Sequence, residues 1–199
     1  RGIEEHELRE KIPPADVYGI SATTPDYNMA LIVARLIKEN HKAFIVLGGP
    51  HVTALPGTVD EIFDKLVIGE GELAIINLLK DLKDGIEKRV YKFPLVEDLD
   101  SIPFPSRHML PFDSVFNHKL VTPGVPATTL ITSRGCPYDC SFCASKKMWG
   151  QPVRFRSPHN VIDELNHIIS SYGVKEFRFH DDTIGVNKKR LFDLCEKMK

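Results

Sequence analysis

Three of the four cysteines fall within eight residues, and this cluster constrains the chain more than any other feature. Cys136, Cys140 and Cys143 are spaced CxxxCxxC, directly after an apolar, strand-like run at residues 128–132. Three thiolates on one short loop can hold three irons of a cubane iron–sulfur cluster, which usually takes four cysteines. The remaining cysteine, Cys195, lies far along the chain. The spacing therefore predicts a [4Fe-4S] cluster with one iron left open for a small ligand.

Zinc binding, a disulfide and core packing are the alternative roles for these cysteines. A tetrahedral zinc site needs a fourth ligand and usually pairs two CxxC motifs across a longer gap. A disulfide would leave an odd cysteine, and nothing in the sequence indicates secretion. Cysteines that pack as small core residues do not cluster beside residues such as Gly135 and Pro137. The cluster is the favoured interpretation.

Composition narrows the class of protein. The chain has 199 residues, 42% hydrophobic and 27% charged, which suits one globular domain or two small ones. A formal net charge of −1 gives no reason to expect a nucleic acid or an acidic membrane surface as partner. No apolar run approaches the ~20 residues of a membrane span, and the charged opening is not a secretory signal. We therefore expect a cytoplasmic protein, and the start at Arg1 and stop within a helical pattern at Lys199 suggest a piece of a longer one.

The first half alternates short apolar strands with helices. Strands are predicted at residues 15–21, 43–47 and 66–68, and helices at residues 29–37, 58–65 and 75–82. This alternation predicts a parallel, doubly wound α/β sheet, whose ligands bind beyond the carboxyl ends of the strands. Small residues that would admit a bulky ligand follow those ends: Ser21, Gly48, Gly49, Gly69 and Gly71. The alternative is that these glycines only form tight turns.

A proline-rich segment separates this sheet from a second predicted domain. Five prolines lie within residues 98–126, a density that predicts an extended connector. Arg107 and His108 within it are expected at the surface or at an interface.

The second domain begins near Ala127 and also alternates strands with helices. Ser157 is predicted to cap a helix, and residues 176–180 read as the strand that follows it. Asn187 is predicted to cap a final helix, in which Cys195 is expected to be a buried thiol. Active-site groups of parallel barrels cluster at the carboxyl ends of strands, and Asp181 and Asp182 follow the second strand here.

The cysteine motif resembles the signature of radical S-adenosylmethionine enzymes, CxxxCxΦC, in which the aromatic position is filled here by Phe142. The resemblance implies a partial (β/α) barrel and an open iron that binds S-adenosylmethionine, which is cleaved reductively to a 5′-deoxyadenosyl radical. It also implies that Asp181 or Asp182 holds the methionine amino group, a charge-assisted contact. Capping of the next helix is the alternative for one of the two. An electron donor such as flavodoxin or ferredoxin is implied as a partner.

The segments GIS, LGGPH and VIGEGE, followed by the cysteine motif, are similar to the cobalamin-binding subfamily of these enzymes. The resemblance implies a Rossmann-like (flavodoxin-like) cobalamin domain at residues 1–95, a linker at 96–126 and a radical S-adenosylmethionine domain at 127–199. It places Ser21, Gly48 and Gly49 in the pocket for the nucleotide tail of cobalamin, with Gly69 and Gly71 as further cofactor contacts.

The lower cobalt ligand is left open. Many cobalamin domains supply a histidine from a DxHxxG motif, which is absent here. His51 is a candidate substitute, but a loop histidine beside Pro50 is expected to be structural.

The reaction implied by the resemblance is transfer of a methyl group from methylcobalamin to an unactivated carbon of an unknown small-molecule substrate. Ring formation, as in a cyclase, and methylthio transfer stay open. The alternative from a different class is a non-catalytic cobalamin-binding or metal-binding module. A cobalamin sensor would explain the sheet-end glycines alone, and a zinc module would explain the cysteines alone.

Overall fold

The structure is a computed structural model, and it describes residues 5–111, 116, 122 and 124–199. The chain divides into two compact units. One comprises Arg1–Val96 with Lys147–Trp149, and the other comprises Glu97–Lys146 with Gly150–Lys199. Within the described residues, no helix has the length and apolar character needed to cross a membrane.

Four strands of the described chain form a parallel sheet in the first unit. In spatial order they are β1 (Val17–Ser21), β2 (Phe44–Gly48), β3 (Lys65–Ile68) and β4 (Val90–Lys92). The helices are α1 (Glu5–Lys11), α2 (Tyr27–Asn40), α3 (Pro50–Ala54) and α4 (Gly71–Lys83). Because the strands are parallel, their carboxyl ends lie at one edge, where Ser21 is directly opposite Gly48.

Side chains alternate between the two faces of this sheet, and a separate core lies on each face. The core on one face joins the strands to α2 through six residues: Ile45, Leu47, Leu66, Ala30, Ala34 and Ile37. The core on the other face joins them to α4 through five: Val46, Val67, Tyr91, Ala74 and Leu78. Helices therefore cover both faces, and the predicted α/β class with a parallel, doubly wound sheet is confirmed.

The helix predicted at residues 58–65 is wrong. The chain forms α3 immediately after β2 instead, with Pro50 in the first turn, where a missing N–H leaves no helical hydrogen bond unmade. A 3₁₀ turn at Pro56–Thr58 follows. Beyond it the Asp60 side chain accepts a hydrogen bond from the backbone N–H of Ile62 at 2.9 Å, which favours a turn over a continuing helix.

The described residues of the second unit form two small sheets. β5 (Ala127–Leu130) pairs in parallel with β8 (Glu176–Phe179), and β6 (Ser133–Arg134) pairs antiparallel with β7 (Arg154–Phe155). The helices along this part of the chain are α5 (Ser145–Trp149), α6 (Pro158–Tyr172) and α7 (Lys188–Lys197). Two parallel strands with α6 between them in sequence form the first unit of the expected (β/α) barrel.

The caps of α6 and α7 are as predicted, but one residue on α7 is not. The Ser157 side chain accepts from the N–H of Asn160 at 3.1 Å, and the Asn187 side chain accepts from the N–H of Arg190 at 3.0 Å. Cys195 was expected to be buried and is exposed. Its neighbour Leu194 occupies the buried stripe, and each residue of a helix turns the side chain by about 100°.

The described part of the connector is tied down rather than extended. It contains 3₁₀ turns at Leu99–Ser101 and Arg107–Met109. Arg107, expected at the surface or an interface, is only 7% exposed, whereas His108 is exposed. The Arg107 guanidinium donates to one carboxylate oxygen of Glu164 at 2.6 Å, and Arg156 donates to the other at 2.5 Å. The connector up to residue 111 is thereby fixed to α6, and residues 112–115, 117–121 and 123 lie outside the described part.

Candidate functional site

Gly135 directs the chain into the cysteine loop. Its φ of 101° is in the region that favours glycine. A Cβ at this position would lie 3.1 Å from the backbone oxygen of Pro152, so a side chain there would also crowd the neighbouring segment. Further along the loop, the N–H of Cys143 donates to the backbone oxygen of Cys140 at 3.0 Å. The last two cysteines therefore share one tight turn.

The three loop cysteines differ in their surroundings. All are free thiols; Cys140 and Cys143 are exposed, and Cys136 is partly buried. The N–H of Ser145 lies 3.5 Å from the Cys143 sulfur. In the described part of the chain, no three His, Cys, Asp or Glu side chains are placed to hold a single metal ion. A cubane cluster takes one thiolate per iron, so the three thiols suit such a cluster by number and chemistry.

The flanks of the loop carry an aromatic side chain and several cations. Phe142 is 90% exposed, so its ring is available to a ligand. Lys146 donates to Asp139 at 2.8 Å within the loop, so its charge is already paired at the surface. Lys147 is exposed, and Arg134 is partly buried.

The two aspartates after β8 have different environments. One oxygen of Asp181 accepts from the Thr132 N–H at 3.0 Å, from the Thr132 hydroxyl at 2.9 Å and from the Ser133 hydroxyl at 2.5 Å. Its other oxygen is buried without a hydrogen-bond partner among the described residues. Asp182 is exposed and accepts from the Ser145 hydroxyl. Asp181 therefore holds the strand that leads into the cysteine loop, while Asp182 lies at the surface beside the loop's end.

Arg190 supports the same corner of the second unit. Its guanidinium donates to the backbone oxygens of Thr132 and Arg156, each at 2.9 Å. Burial lowers the pKa of Arg190, and the nearby carboxylate of Asp181 acts in the opposite direction. Thr132 is thus bonded to Asp181 through its N–H and hydroxyl and to Arg190 through its carbonyl.

At the carboxyl edge of the four-stranded sheet, the structure brings Ser21, Gly48 and Gly49 together. Gly49 has a φ of 92°, and a Cβ there would lie 2.6 Å from the Ser21 hydroxyl oxygen. A Cβ there would also lie 3.1 Å from the backbone N and O of Ala22, so a side chain at Gly49 would require the Ser21 side chain and the Ala22 backbone to shift. Gly69 follows β3, and its N–H donates to the Thr53 hydroxyl at 3.0 Å.

Gly69 and Gly71 face open space at this edge. A Cβ on either residue would meet no heavy atom within 4 Å. Gly71 begins α4, whose first-turn N–H groups have no intrahelical partners. At the predicted ligand edge, the chain is therefore closely packed at Gly49, whereas the space beside Gly69 and Gly71, after β3, is open.

His51 is a packed histidine, in agreement with the expectation. It is 5% exposed and stacks on the Tyr27 ring with centroids 3.9 Å apart. Its two ring nitrogens lie 3.3 Å from the Thr24 hydroxyl and 3.5 Å from the Thr58 hydroxyl. Both nitrogens are therefore occupied by hydroxyl partners.

Sequence reasoning missed the hydroxyl residues that connect β8 to the cysteine loop. Ser145 contacts Asp182, and the Thr183 hydroxyl lies 3.5 Å from the Cys136 sulfur. Their positions in the sequence could have identified them. Thr183 directly follows the two aspartates at the end of a predicted strand, and Ser145 lies two residues after the last loop cysteine. Which hydroxyl meets which partner depends on the packing of β8 against β5.

Two known protein families match separate parts of the chain. A B12 binding domain matches residues 7–79, and the Radical SAM superfamily matches residues 130–199. The uncharacterized methyltransferase PH0819 of Pyrococcus horikoshii is 39% identical over 203 residues, covering 92% of this chain and 43% of its own length. The anaerobic magnesium-protoporphyrin IX monomethyl ester cyclase of Cereibacter sphaeroides is 32% identical over 215 residues, covering 96% and 34%.

A solved structure shares the fold over nearly the whole chain. The cobalamin-dependent S-adenosylmethionine radical enzyme OxsB superposes with a TM-score of 0.71 at 22% identity, covering 99% of this chain and 31% of its own. The chain spans less than half the length of the curated relatives described above.

Proposed function

The chain belongs to the radical S-adenosylmethionine enzymes that carry a cobalamin-binding domain, and from this we propose that its protein transfers a methyl group to an unactivated carbon of a small molecule. The observation that carries the proposal is the set of three free thiols on the loop after β6, which is bordered by the residues that follow β8. We assign residues 1–95 to a cobalamin-binding domain, 96–126 to a linker and 127–199 to the radical domain.

The thiolates of Cys136, Cys140 and Cys143 would hold the iron–sulfur cluster. When bound, the cluster supplies one electron for reductive cleavage of S-adenosylmethionine, and methylcobalamin supplies the methyl group. The protein's part is to bind these groups, orient them and exclude water. The exposed ring of Phe142 is proposed to contact S-adenosylmethionine beside the open iron.

Asp182 is the stronger candidate for the methionine amino group. Its carboxylate is exposed beside Ser145, so it can accept a charge-assisted hydrogen bond from an ammonium. Asp181 has one oxygen committed to three donors from Thr132 and Ser133. We therefore assign S-adenosylmethionine binding to Asp182 and support of the loop to Asp181.

The edge formed by Ser21, Gly48, Gly49, Gly69 and Gly71 is proposed to receive cobalamin. A Cβ on Gly69 or Gly71 would meet no heavy atom within 4 Å, and Gly71 begins α4, whose first-turn N–H groups suit a ligand with a phosphate-containing tail. His51 is assigned a packing role and not that of cobalt ligand, since Thr24 and Thr58 face its nitrogens.

Ring formation is the second candidate reaction. It is favoured by the 32% identity to a cyclase that acts on a magnesium porphyrin ester. We also propose that the electron donor is a protein such as flavodoxin or ferredoxin and that the location is cytoplasmic. We propose no nucleic-acid or membrane partner.

Anaerobic reconstitution of the full-length protein with iron and sulfide tests the radical function. We expect about four irons per chain from this site and a reduced-cluster electron paramagnetic resonance signal that changes when S-adenosylmethionine is added. Cys143→Ala should abolish the signal. Cys195→Ser is the matched control, because Cys195 is also an exposed free thiol but lies on α7. Stoichiometric zinc with no such signal would replace the proposal with a metal-stabilised binding module.

Isotope labelling separates the two reactions. With S-adenosylmethionine deuterated in its methyl group, methyl transfer should move the label to bound cobalamin, as measured by mass spectrometry. A cyclase would leave the label in the methionine that is released when S-adenosylmethionine is cleaved.

A further inference from the structure

The partly buried thiol of Cys136 has a hydroxyl partner that no part of the mechanism above uses. The Thr183 hydroxyl oxygen lies 3.5 Å from the Cys136 sulfur, a hydrogen-bonding distance for sulfur. Thr183 precedes the 3₁₀ turn at Ile184–Val186, but its hydroxyl does not cap that turn. The hydroxyl is therefore available to the cysteine.

The direction of this hydrogen bond follows from the chemistry of the ligand. A cysteine that binds iron is a thiolate and carries no hydrogen, so its sulfur can only accept. The Thr183 hydroxyl must then be the donor. A donor to a ligating sulfur stabilises the more negative, reduced form of a cluster.

The two residues before Thr183 fix its position. Two residues before it, Asp181 accepts three hydrogen bonds from the segment that leads into the loop. Directly before it, Asp182 accepts from Ser145, just beyond the last loop cysteine. These bonds hold the end of β8 against the loop, so the hydroxyl of Thr183 stays within reach of Cys136.

We propose that Thr183 is a positioning residue that donates a hydrogen bond to the Cys136 thiolate and thereby raises the reduction potential of the cluster. The proposal rests on the proposed function, since it requires a cluster on the three cysteines. Cys140 and Cys143 are exposed, so the tuning acts at the one ligand that the protein partly buries.

The test is a potentiometric titration of the reconstituted full-length protein without S-adenosylmethionine, followed by electron paramagnetic resonance. Thr183→Val removes the hydroxyl and keeps the shape, and it should lower the equilibrium constant for one-electron reduction by up to about tenfold, or 59 mV. Thr183→Ser keeps the donor and should retain the wild-type potential. Thr183→Ala also removes the hydroxyl but introduces no valine side chain that could disturb the packing. It should shift the reduction potential in the same direction as Thr183→Val.

Iron content measured on the same samples separates the two possible failures. Equal potentials in all four proteins at full iron content would overturn the role of Thr183 and leave the radical function intact. A wild-type protein that binds no cluster would overturn the proposed function, and the role of Thr183 with it. A shift in Thr183→Ser as large as in Thr183→Val would also contradict the proposal, because the donor is retained.

Discussion

Two adjacent carboxylates after β8 have separate tasks at the scale of single residues. Asp181 is a structural acceptor for Thr132 and Ser133, whereas Asp182 is exposed at the end of the cysteine loop. A buried acceptor with several donors contributes to stability, and an exposed carboxylate is free to meet a cationic ligand. Substitution of each aspartate should therefore affect a different property.

Asp181→Asn should lower the free energy of unfolding of the second unit by about 1–3 kcal/mol, because it weakens charge-assisted hydrogen bonds. Asp182→Asn should leave that free energy within about 0.5 kcal/mol of wild type and weaken S-adenosylmethionine binding roughly tenfold. Urea denaturation and equilibrium dialysis of the reconstituted protein measure the two quantities. Unchanged affinity in Asp182→Asn would return the ligand role to Asp181 or remove it from both.

The sequence identifies these site residues, but it does not predict which role each of them has. Spacing alone singles out the three loop cysteines, since the motif is local. The division between Asp181 and Asp182 depends on their contacts with residues far earlier in the chain: Thr132 lies 49 positions before Asp181, and Ser145 lies 37 positions before Asp182. Cys195 shows the same limit, because a helical stripe defined by a few apolar residues leaves the edge positions ambiguous.

At the scale of elements, α6 is joined to the connector and to the segment after β7 through one buried carboxylate. Glu164 is 1% exposed and pairs with Arg107 and Arg156, which also donate to backbone oxygens of Thr129 and Ile131. A buried ion pair that loses one partner leaves an uncompensated charge in a poorly solvated site. Removal of the Glu164 carboxylate would leave two uncompensated charges, those of Arg107 and Arg156.

Glu164→Gln should lower the free energy of unfolding by about 3–5 kcal/mol, as measured by chemical denaturation. Glu196→Gln is the matched control: Glu196 pairs with Lys199 at 2.7 Å, but both side chains are about 70% exposed. The control should change stability by less than about 1 kcal/mol. Equal effects of the two substitutions would show that burial of Glu164 is not what matters.

Helix caps and strands were predicted correctly where residues within the element itself indicate its structure. The caps at Ser157 and Asn187 are predicted from capping residues, and β1, β2, β3, β5 and β8 from apolar runs. The short strands β6 and β7 were not predicted. The predicted helix at 58–65 failed because apolar residues such as Ile62 and Phe63 can equally fill the core from a turn. The buried state of Arg107 could not be predicted, since its partner Glu164 lies 57 positions away.

At the scale of the whole molecule, the sheets and cores of each unit are built from that unit's own residues. Ile45 and Leu47 belong to the core of the first unit, and Leu165 and Ile168 belong to that of the second. The residues proposed for cobalamin all belong to the first unit, and those proposed for the cluster belong to the second.

Binding of the two cofactors should therefore be separable by mutation. Gly49→Ala should abolish retention of cobalamin, because its Cβ would lie 2.6 Å from the Ser21 hydroxyl at a φ of 92°, and it should leave iron content unchanged. Cys140→Ala should do the reverse. Gly19→Ala is the matched control for the first substitution, since Gly19 lies on β1 outside the proposed cobalamin edge and its Cβ would meet no heavy atom within 4 Å. Cobalamin absorbance and iron content of each full-length variant give the measurement. Loss of both cofactors in either Gly49→Ala or Cys140→Ala would contradict the assignment of the two cofactors to separate sets of residues.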